Sequence, residues 1–229
     1  MSWLAYQSFD VGPSTGVTTM RFWVPLCLIT VLLAVAGWQS PSNAQGSANA
    51  STAPVYTADG KLVFPARYRE WIYLTTGLDM DYSPNVNFAD HNMFDNVFVN
   101  PEAYKAFQAT GTWPDKTIFV LEGRMAASKG SINKSGHYQT TDIMTRSIHI
   151  KDASRFAETG GWAFFGVGDS GTASQIPKEA VCYSCHADHG AVDTTFVQFY
   201  PTLLEIARQK GTFSQGYLKD EAAAKDAKK

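Results

Sequence analysis

The stretch TIFVLEGRM, from Thr117 to Met125, decides the fold because two further segments of the same kind follow it closely. These are YQTTDIMTRSIHIK at 138–151 and GGWAFFGVG at 160–168, both rich in aromatic and β-branched residues. The connections between them are short, and they contain turn-forming residues such as glycine. Three consecutive strand signals with short connections predict an antiparallel sheet.

Segments on the N-terminal side extend this sheet. We predict strands at Trp71–Thr76 and in FDNVFV at 94–99, with a long loop at 79–93 between them. Asn100-Pro101-Glu102 is a favourable helix start, since it combines a cap, a proline at the first position and an acid in the first turn. The helix that it opens is expected to end at Gly111.

After Pro177 the pattern changes to a helical or irregular segment that carries two cysteines. A helix is predicted from Pro201 to Lys210. The predicted fold class is therefore α+β: an antiparallel β-sheet with flanking helices and a separate C-terminal segment that holds the cysteines.

Composition limits the kinds of partner. The chain has 229 residues, of which 45% are hydrophobic and 13% aromatic, and its formal net charge is −2. This is enough material to bury the core of one domain, and it offers no basic excess for a nucleic acid. We therefore expect no nucleic-acid partner.

The N-terminus is typical of an exported protein. Arg21 precedes an apolar run at 22–38, and Ser42-Asn43-Ala44 supplies the small residues of a cleavage site. We expect translation to start at Met20 and residues 1–44 to be an extension plus a signal peptide; an uncleaved membrane anchor is the alternative. We predict a flexible lead-in at 45–57, the folded domain at 58–210 and a charged tail at 211–229.

The sequence CYSCH, from Cys182 to His186, is the motif that carries chemistry. In a C-x-x-C-H segment the two thiols add to the vinyl groups of one porphyrin, and the adjacent histidine reaches the iron. Export agrees with this interpretation, because haem is attached covalently outside the bacterial cytoplasm. We predict one covalently bound haem c, anchored by Cys182 and Cys185, with His186 as the ligand of the iron.

Three other uses of the two cysteines remain open. A zinc site would need four ligands, and His189 could add only a third one from the same segment. A thioredoxin-like dithiol would need a βαβ context, and this pair follows antiparallel strand signals instead. A structural disulfide is also compatible with export.

The chain resembles the cytochrome P-460 family, which also includes cytochrome c′-beta, over about residues 62–204. The resemblance rests on five segments: FPARYREWIYL, VFVNPEAYKAF, GTWPDKTIFVLE, IKDASRFAETGGWAFF and CYSCHADHGAVDTTFVQFYPTL. It implies an antiparallel sheet with flanking helices, one c-type haem, a homodimer, a redox partner and residence in the periplasm. It also implies small nitrogen species as ligands or substrates, either hydroxylamine to be oxidised or nitric oxide to be bound.

One residue departs from the pattern of the hydroxylamine-oxidising members. These carry a lysine that cross-links to the haem, and Leu121 stands at the matching position of TIFVLE. A leucine has no nitrogen with which to form that bond, so the resemblance favours a haem without the cross-link. The alternatives are a six-coordinate electron-transfer cytochrome and a hydroxylamine oxidase whose cross-link uses another lysine.

The surroundings of the haem can be predicted from strand alternation. Phe119 and Leu121 share one apolar side of their strand, so they are candidates to line the haem, although that side could equally be ordinary core. Nothing in the sequence selects a sixth ligand, and we expect five-coordinate iron. The residues that could serve are His91, His137, His149, Met80, Met93, Met125 and Met144.

Other polar residues have simpler expected roles. His149 shares its side with Ser147 and Thr145, which predicts a surface histidine. His189 is expected to hydrogen-bond a haem propionate or water. Arg69, Arg124 and Arg155 are candidates to pair with propionates or to lie on the surface.

Overall fold

A computed structural model describes residues 52–80 and 92–227 of the chain. The predicted signal peptide, the start at Met20, most of the predicted loop at 79–93 and the candidate ligand His91 lie outside these residues. The described residues all belong to one compact unit, Gly46–Lys229.

The described part of the chain forms one seven-stranded, fully antiparallel sheet, and four α-helices accompany it. The predicted α+β class and the antiparallel sheet are therefore confirmed. The strand order is β1-β7-β6-β5-β4-β3-β2. The strands are β1 (Leu62–Val63), β2 (Ile72–Leu78), β3 (Met93–Val99), β4 (Ile118–Ala127), β5 (Tyr138–Lys151), β6 (Trp162–Val167) and β7 (Thr172–Gln175).

Strands β1 and β7 were not predicted, because neither carries a periodic signal. Strand β1 has two residues, and β7 is the short polar sequence TASQ. They pair with each other, and β1 forms one edge of the sheet. Such short edge strands take their structure from the neighbours to which they are hydrogen-bonded.

The helices are α1 (Pro101–Thr110), α2 (Val181–His189), α3 (Pro201–Lys210) and α4 (Gln215–Asp226). Helix α1 ends where its sequence predicts, since Gly111 adopts the left-handed conformation that glycine tolerates best. Helix α4 lies within the residues predicted as a charged tail. Its Ser214 cap accepts a hydrogen bond from the backbone N–H of Tyr217, and the side chain of Tyr217 is buried.

Each face of the sheet covers its own apolar cluster. Phe119 and Val99 face the cluster that the helices complete with Phe107 from α1 and Leu203 from α3. Val120, Ile148 and their neighbours form the second cluster. Because both faces are covered at this end of the sheet, strand alternation decides which layer a residue joins rather than whether water reaches it.

No helix within residues 52–80 and 92–227 is long and apolar enough to cross a membrane.

Candidate haem-binding site

Helix α2 brings the three residues of the cysteine motif to one side. Consecutive helical residues are about 100° apart, so Cys182, Cys185 and His186 fall within an arc of about 100°. All three are partly buried. One planar group standing against this side of α2 could therefore meet both thiols and the imidazole.

The proton on the His186 ring is fixed by its hydrogen bond. Nδ1 of His186 lies 2.7 Å from the carbonyl oxygen of Thr194. Because a carbonyl oxygen can only accept, Nδ1 donates, and Nε2 keeps its lone pair. Burial lowers the pKa of His186 below its ordinary value, although the bond to Thr194 acts in the opposite direction. The imidazole is thus neutral at pH 7 and prepared to bind a metal through Nε2.

Three rings surround the imidazole of His186. The ring centroids of Phe196, Phe164 and His149 lie 4.2, 4.6 and 5.0 Å from that of His186. Phe164 and His149 come from β6 and β5, whereas Phe196 follows α2. The candidate metal ligand therefore lies where helix α2 meets the sheet, in mostly apolar surroundings.

The prediction that His149 is a surface residue is wrong. Its side chain is buried, and its ring stacks on Phe164 with a centroid separation of 4.1 Å and an interplanar angle of 7°. Register explains this burial, since His149 is paired with Phe119 on one side and with Phe164 on the other. Burial holds the pKa of His149 well below its ordinary value, and the nearby His186 adds to the effect. The sequence carried no signal for this burial, because Ser147 and Thr145 on the same side are polar.

The structure gives different surroundings to the two predicted lining residues. Phe119 is 4% exposed and belongs to the helix-side cluster, where its ring lies 6.1 Å from that of His149. Leu121 is only partly buried, between Val97 of β3 and Ser147 of β5. Both residues face the layer that holds His186. Phe119 is part of the buried core of that layer, and Leu121, two residues further along β4, is more exposed.

The two thiols are free in the structure. Burial raises the pKa of the Cys185 thiol, and the charges of Asp188 and Cys182 act in the same direction. A reactive thiol depends on a lowered pKa, so these surroundings do not activate Cys185. No group of three His, Cys, Asp or Glu side chains is placed to hold a metal ion within the described ranges.

Two predicted propionate partners bind a carboxylate on the other face of the sheet. Glu122 of β4 is buried, and it accepts hydrogen bonds from Tyr68, Arg69 and Arg124. Arg155 lies over the ring of Tyr56, 4.1 Å from its centroid. These arginines stabilise the second cluster and its margin. Strand alternation already separates Glu122 and Arg124 from Leu121, so this part of the arrangement could have been predicted.

Helix α4 packs against helix α2. Nδ1 of His189 lies 2.7 Å from a carboxylate oxygen of Asp220. The hydroxyl of Ser214 donates to the carbonyl oxygen of Gly190, directly after α2. A Cβ atom at Gly216 would overlap the carbonyl oxygen of Asp188. The two helices can approach this closely only because Gly216 has no side chain.

Replacing Gly216 with alanine is therefore expected to destabilise the protein by about 1–3 kcal/mol through overlap with α2. The gain in helix propensity, about 1 kcal/mol, would offset only part of this loss. Urea denaturation followed by circular dichroism measures the difference. Gly168→Ala is the matched control, because a Cβ there meets no atom within 4 Å. Equal stability of the two variants would contradict the tight contact between α2 and α4.

A cavity of about 910 Å³ lies beside α2, between it and helices α3 and α4. Its lining includes Cys185, Phe196, Leu204 and Tyr217. The imidazole of His186 faces the ring cluster on the sheet instead. Cys185 and Phe196 therefore belong both to the lining of this cavity and to the surroundings of His186.

The antiparallel sheet, the CYSCH motif on helix α2 and the neutral imidazole of His186 together suit a haem-binding cytochrome with a c-type motif. A family model described as Cytochrome P460 matches residues 65–197, more than half of the chain. The chain belongs to the cytochrome P460 family. A search of curated proteins found no match.

Membership of this family implies that the chain binds haem, and the residues of the chain fit a haem. Two thiols and an imidazole share one side of α2, which is the donor set that a c-type haem requires. The lone pair on Nε2 of His186 and the aromatic rings around it suit an iron porphyrin better than a charged ligand. Thr194, which fixes the tautomer of His186, was missed in the sequence because it acts through its backbone carbonyl.

Proposed function

We propose that this protein is an exported c-type cytochrome with one haem, attached through Cys182 and Cys185 and ligated by His186. The haem would be five-coordinate, and its open side would bind or redox-process small nitrogen species such as nitric oxide. We further propose that the protein acts in the periplasm, as a homodimer that exchanges electrons with a redox partner protein.

The observation that carries the proposal is the bond between Nδ1 of His186 and the carbonyl oxygen of Thr194. It orients the ring, leaves Nε2 for the iron and increases the basicity of the ligand. A bound haem would supply a one-electron couple and an iron that can bind a small ligand. Cys182 and Cys185 would anchor this group, and the bond to Thr194 would hold its ligand His186 in one tautomer.

Five-coordination is supported by the surroundings of four of the candidate sixth ligands. The ring of His149 lies next to that of His186, with 5.0 Å between the centroids. Its Nε2 is 3.2 Å from the hydroxyl oxygen of Thr194. His137 lies 3.4 Å from the side-chain amide of Asn92. Met80 and Met144 are exposed to solvent. Each of these groups is engaged elsewhere or directed outward.

Leu121 favours ligand binding over hydroxylamine oxidation. It stands on the strand where the hydroxylamine-oxidising relatives are expected to carry their cross-linking lysine, and its side chain is apolar. A partly buried leucine would leave a porphyrin unmodified and would present methyl groups to a small diatomic ligand. Apolar surroundings of this kind would admit nitric oxide more readily than a larger or charged ligand.

Optical spectra of the oxidised and reduced protein, with and without nitric oxide, test the proposal. We expect a high-spin spectrum that changes on addition of the gas, in both oxidation states. A sharp low-spin spectrum that is indifferent to nitric oxide would instead identify a six-coordinate electron carrier. A strongly red-shifted reduced Soret band would indicate a cross-linked haem despite Leu121.

A further inference from the structure

His149 lies deeper in the structure than a strand histidine flanked by Ser147 and Lys151 would suggest. Its ring is stacked on Phe164 and lies 4.5 Å from the ring of Trp162, measured between centroids. A buried polar ring needs a hydrogen-bonding partner, since an unpaired one costs free energy. The partner of His149 indicates what the residue does.

Both histidines bind the same residue. Nε2 of His149 lies 3.2 Å from Oγ1 of Thr194, and Nδ1 of His186 lies 2.7 Å from the carbonyl oxygen of Thr194. The side chain of Thr194 thus connects to the sheet, while its backbone holds the candidate iron ligand. A shift of Thr194 on one side must change the bond on the other.

The residues next to Thr194 are held as well, but by other elements. The hydroxyl of Thr195 accepts a hydrogen bond from the indole N–H of Trp113 at 2.8 Å. Asp193 has a positive φ of 52° and lies 3.2 Å from the ammonium group of Lys151. His149 is the contact by which the side chain of Thr194 itself is attached to strand β5.

We propose that His149 is a positioning residue for the haem ligand: by holding Thr194 it sets the strength of the Thr194–His186 hydrogen bond and so the reduction potential of the iron. The inference rests on the proposed function, since it takes His186 as the ligand. A stronger bond from Nδ1–H to a carbonyl makes the imidazole a better electron donor and favours ferric iron. Loss of the contact between His149 and Thr194 weakens the Thr194–His186 hydrogen bond and raises the midpoint potential of the iron.

The test compares the midpoint potentials of the haem-loaded protein and three variants. His149→Phe keeps an aromatic ring but removes the hydrogen bond, and Thr194→Val removes the hydroxyl but keeps the backbone carbonyl. We expect both variants to raise the midpoint potential by similar amounts. The double variant is expected to shift it no further than either single change, because both changes break one connection.

Two controls separate this effect from a general loss of structure. His137→Phe makes the same chemical change at an exposed histidine, and it is expected to leave the midpoint potential unchanged. His149→Gln keeps a hydrogen-bonding group, and it is expected to return the potential part of the way towards that of the parent. If His149→Phe does not fold, Thr194→Val still tests the same connection.

The outcomes distinguish this inference from the proposed function. A parent protein without covalent haem would overturn both. A haem-loaded Thr194→Val variant with an unchanged potential would overturn the positioning role alone. Shifts that add in the double variant would also overturn it, because they would show that the two residues act independently.

Discussion

Replacing both Cys182 and Cys185 with serine is expected to abolish covalent haem attachment completely. Each thioether bond requires a thiol, and serine offers only a hydroxyl, which does not form this bond. Both side chains lie with His186 on one side of α2, so any haem that remains would be held by the imidazole and by packing alone. Denaturing electrophoresis with haem staining, together with the mass of the intact protein, measures the loss.

The single variants and a neighbouring control refine this prediction. Cys182→Ser and Cys185→Ser are each expected to keep one thioether and to bind less haem than the parent. Ser184→Ala, between them on the exposed side of α2, is expected to leave attachment unchanged. Normal covalent haem in the double variant would contradict the assignment of both cysteines and would return the motif to its other possible uses.

Replacing Trp113 with alanine is expected to reduce the free energy of unfolding by about 3–5 kcal/mol. The indole is 2% exposed, and its ring lies 4.2 Å from Phe107 and 4.8 Å from Phe119, between centroids. Its N–H also donates to Thr195, next to the residue that holds His186. The change would open a cavity in the helix-side cluster and leave the Thr195 hydroxyl without this donor.

Urea denaturation monitored by circular dichroism measures this loss, and two variants help to interpret it. Trp113→Phe keeps a six-membered ring but removes the N–H donor and part of the buried indole, so we expect a smaller loss, of about 1–2 kcal/mol. Trp71→Ala removes a partly buried tryptophan at the margin of the second cluster, and we expect a smaller effect than for Trp113. A loss below about 1 kcal/mol for Trp113→Ala would contradict its central position in the core.

The strands and helices could be predicted where the sequence pattern is long or where proline and glycine mark its ends. The structure gives β5 and α3 the bounds that the sequence predicts, 138–151 and 201–210. Strand β5 is a long run of strand-forming residues, and α3 begins at a proline and ends before Gly211 in the left-handed conformation. Such local signals are sufficient because few alternatives satisfy them.

The candidate site could be predicted only in its cysteine and histidine motif. The motif identifies Cys182, Cys185 and His186, because chemistry requires those residue types to be adjacent. The burial of His149 depends on which elements cover the sheet, and the role of Thr194 depends on a backbone carbonyl. Neither is encoded by residue type or spacing. The packing of helix α4 was hidden for a similar reason, since its contact with α2 rests on the absence of a side chain at Gly216.

The order of the strands has a consequence for how the chain folds. From β2 to β7 each strand pairs with the next one along the chain, so these hairpins can close locally and early. Strand β1 instead pairs with β7, across a separation on the order of a hundred residues. The cluster that contains Leu62 and Phe64 therefore needs both β1 and β7 in place. We expect the pairing of β1 with β7 to be the last step in assembling the sheet.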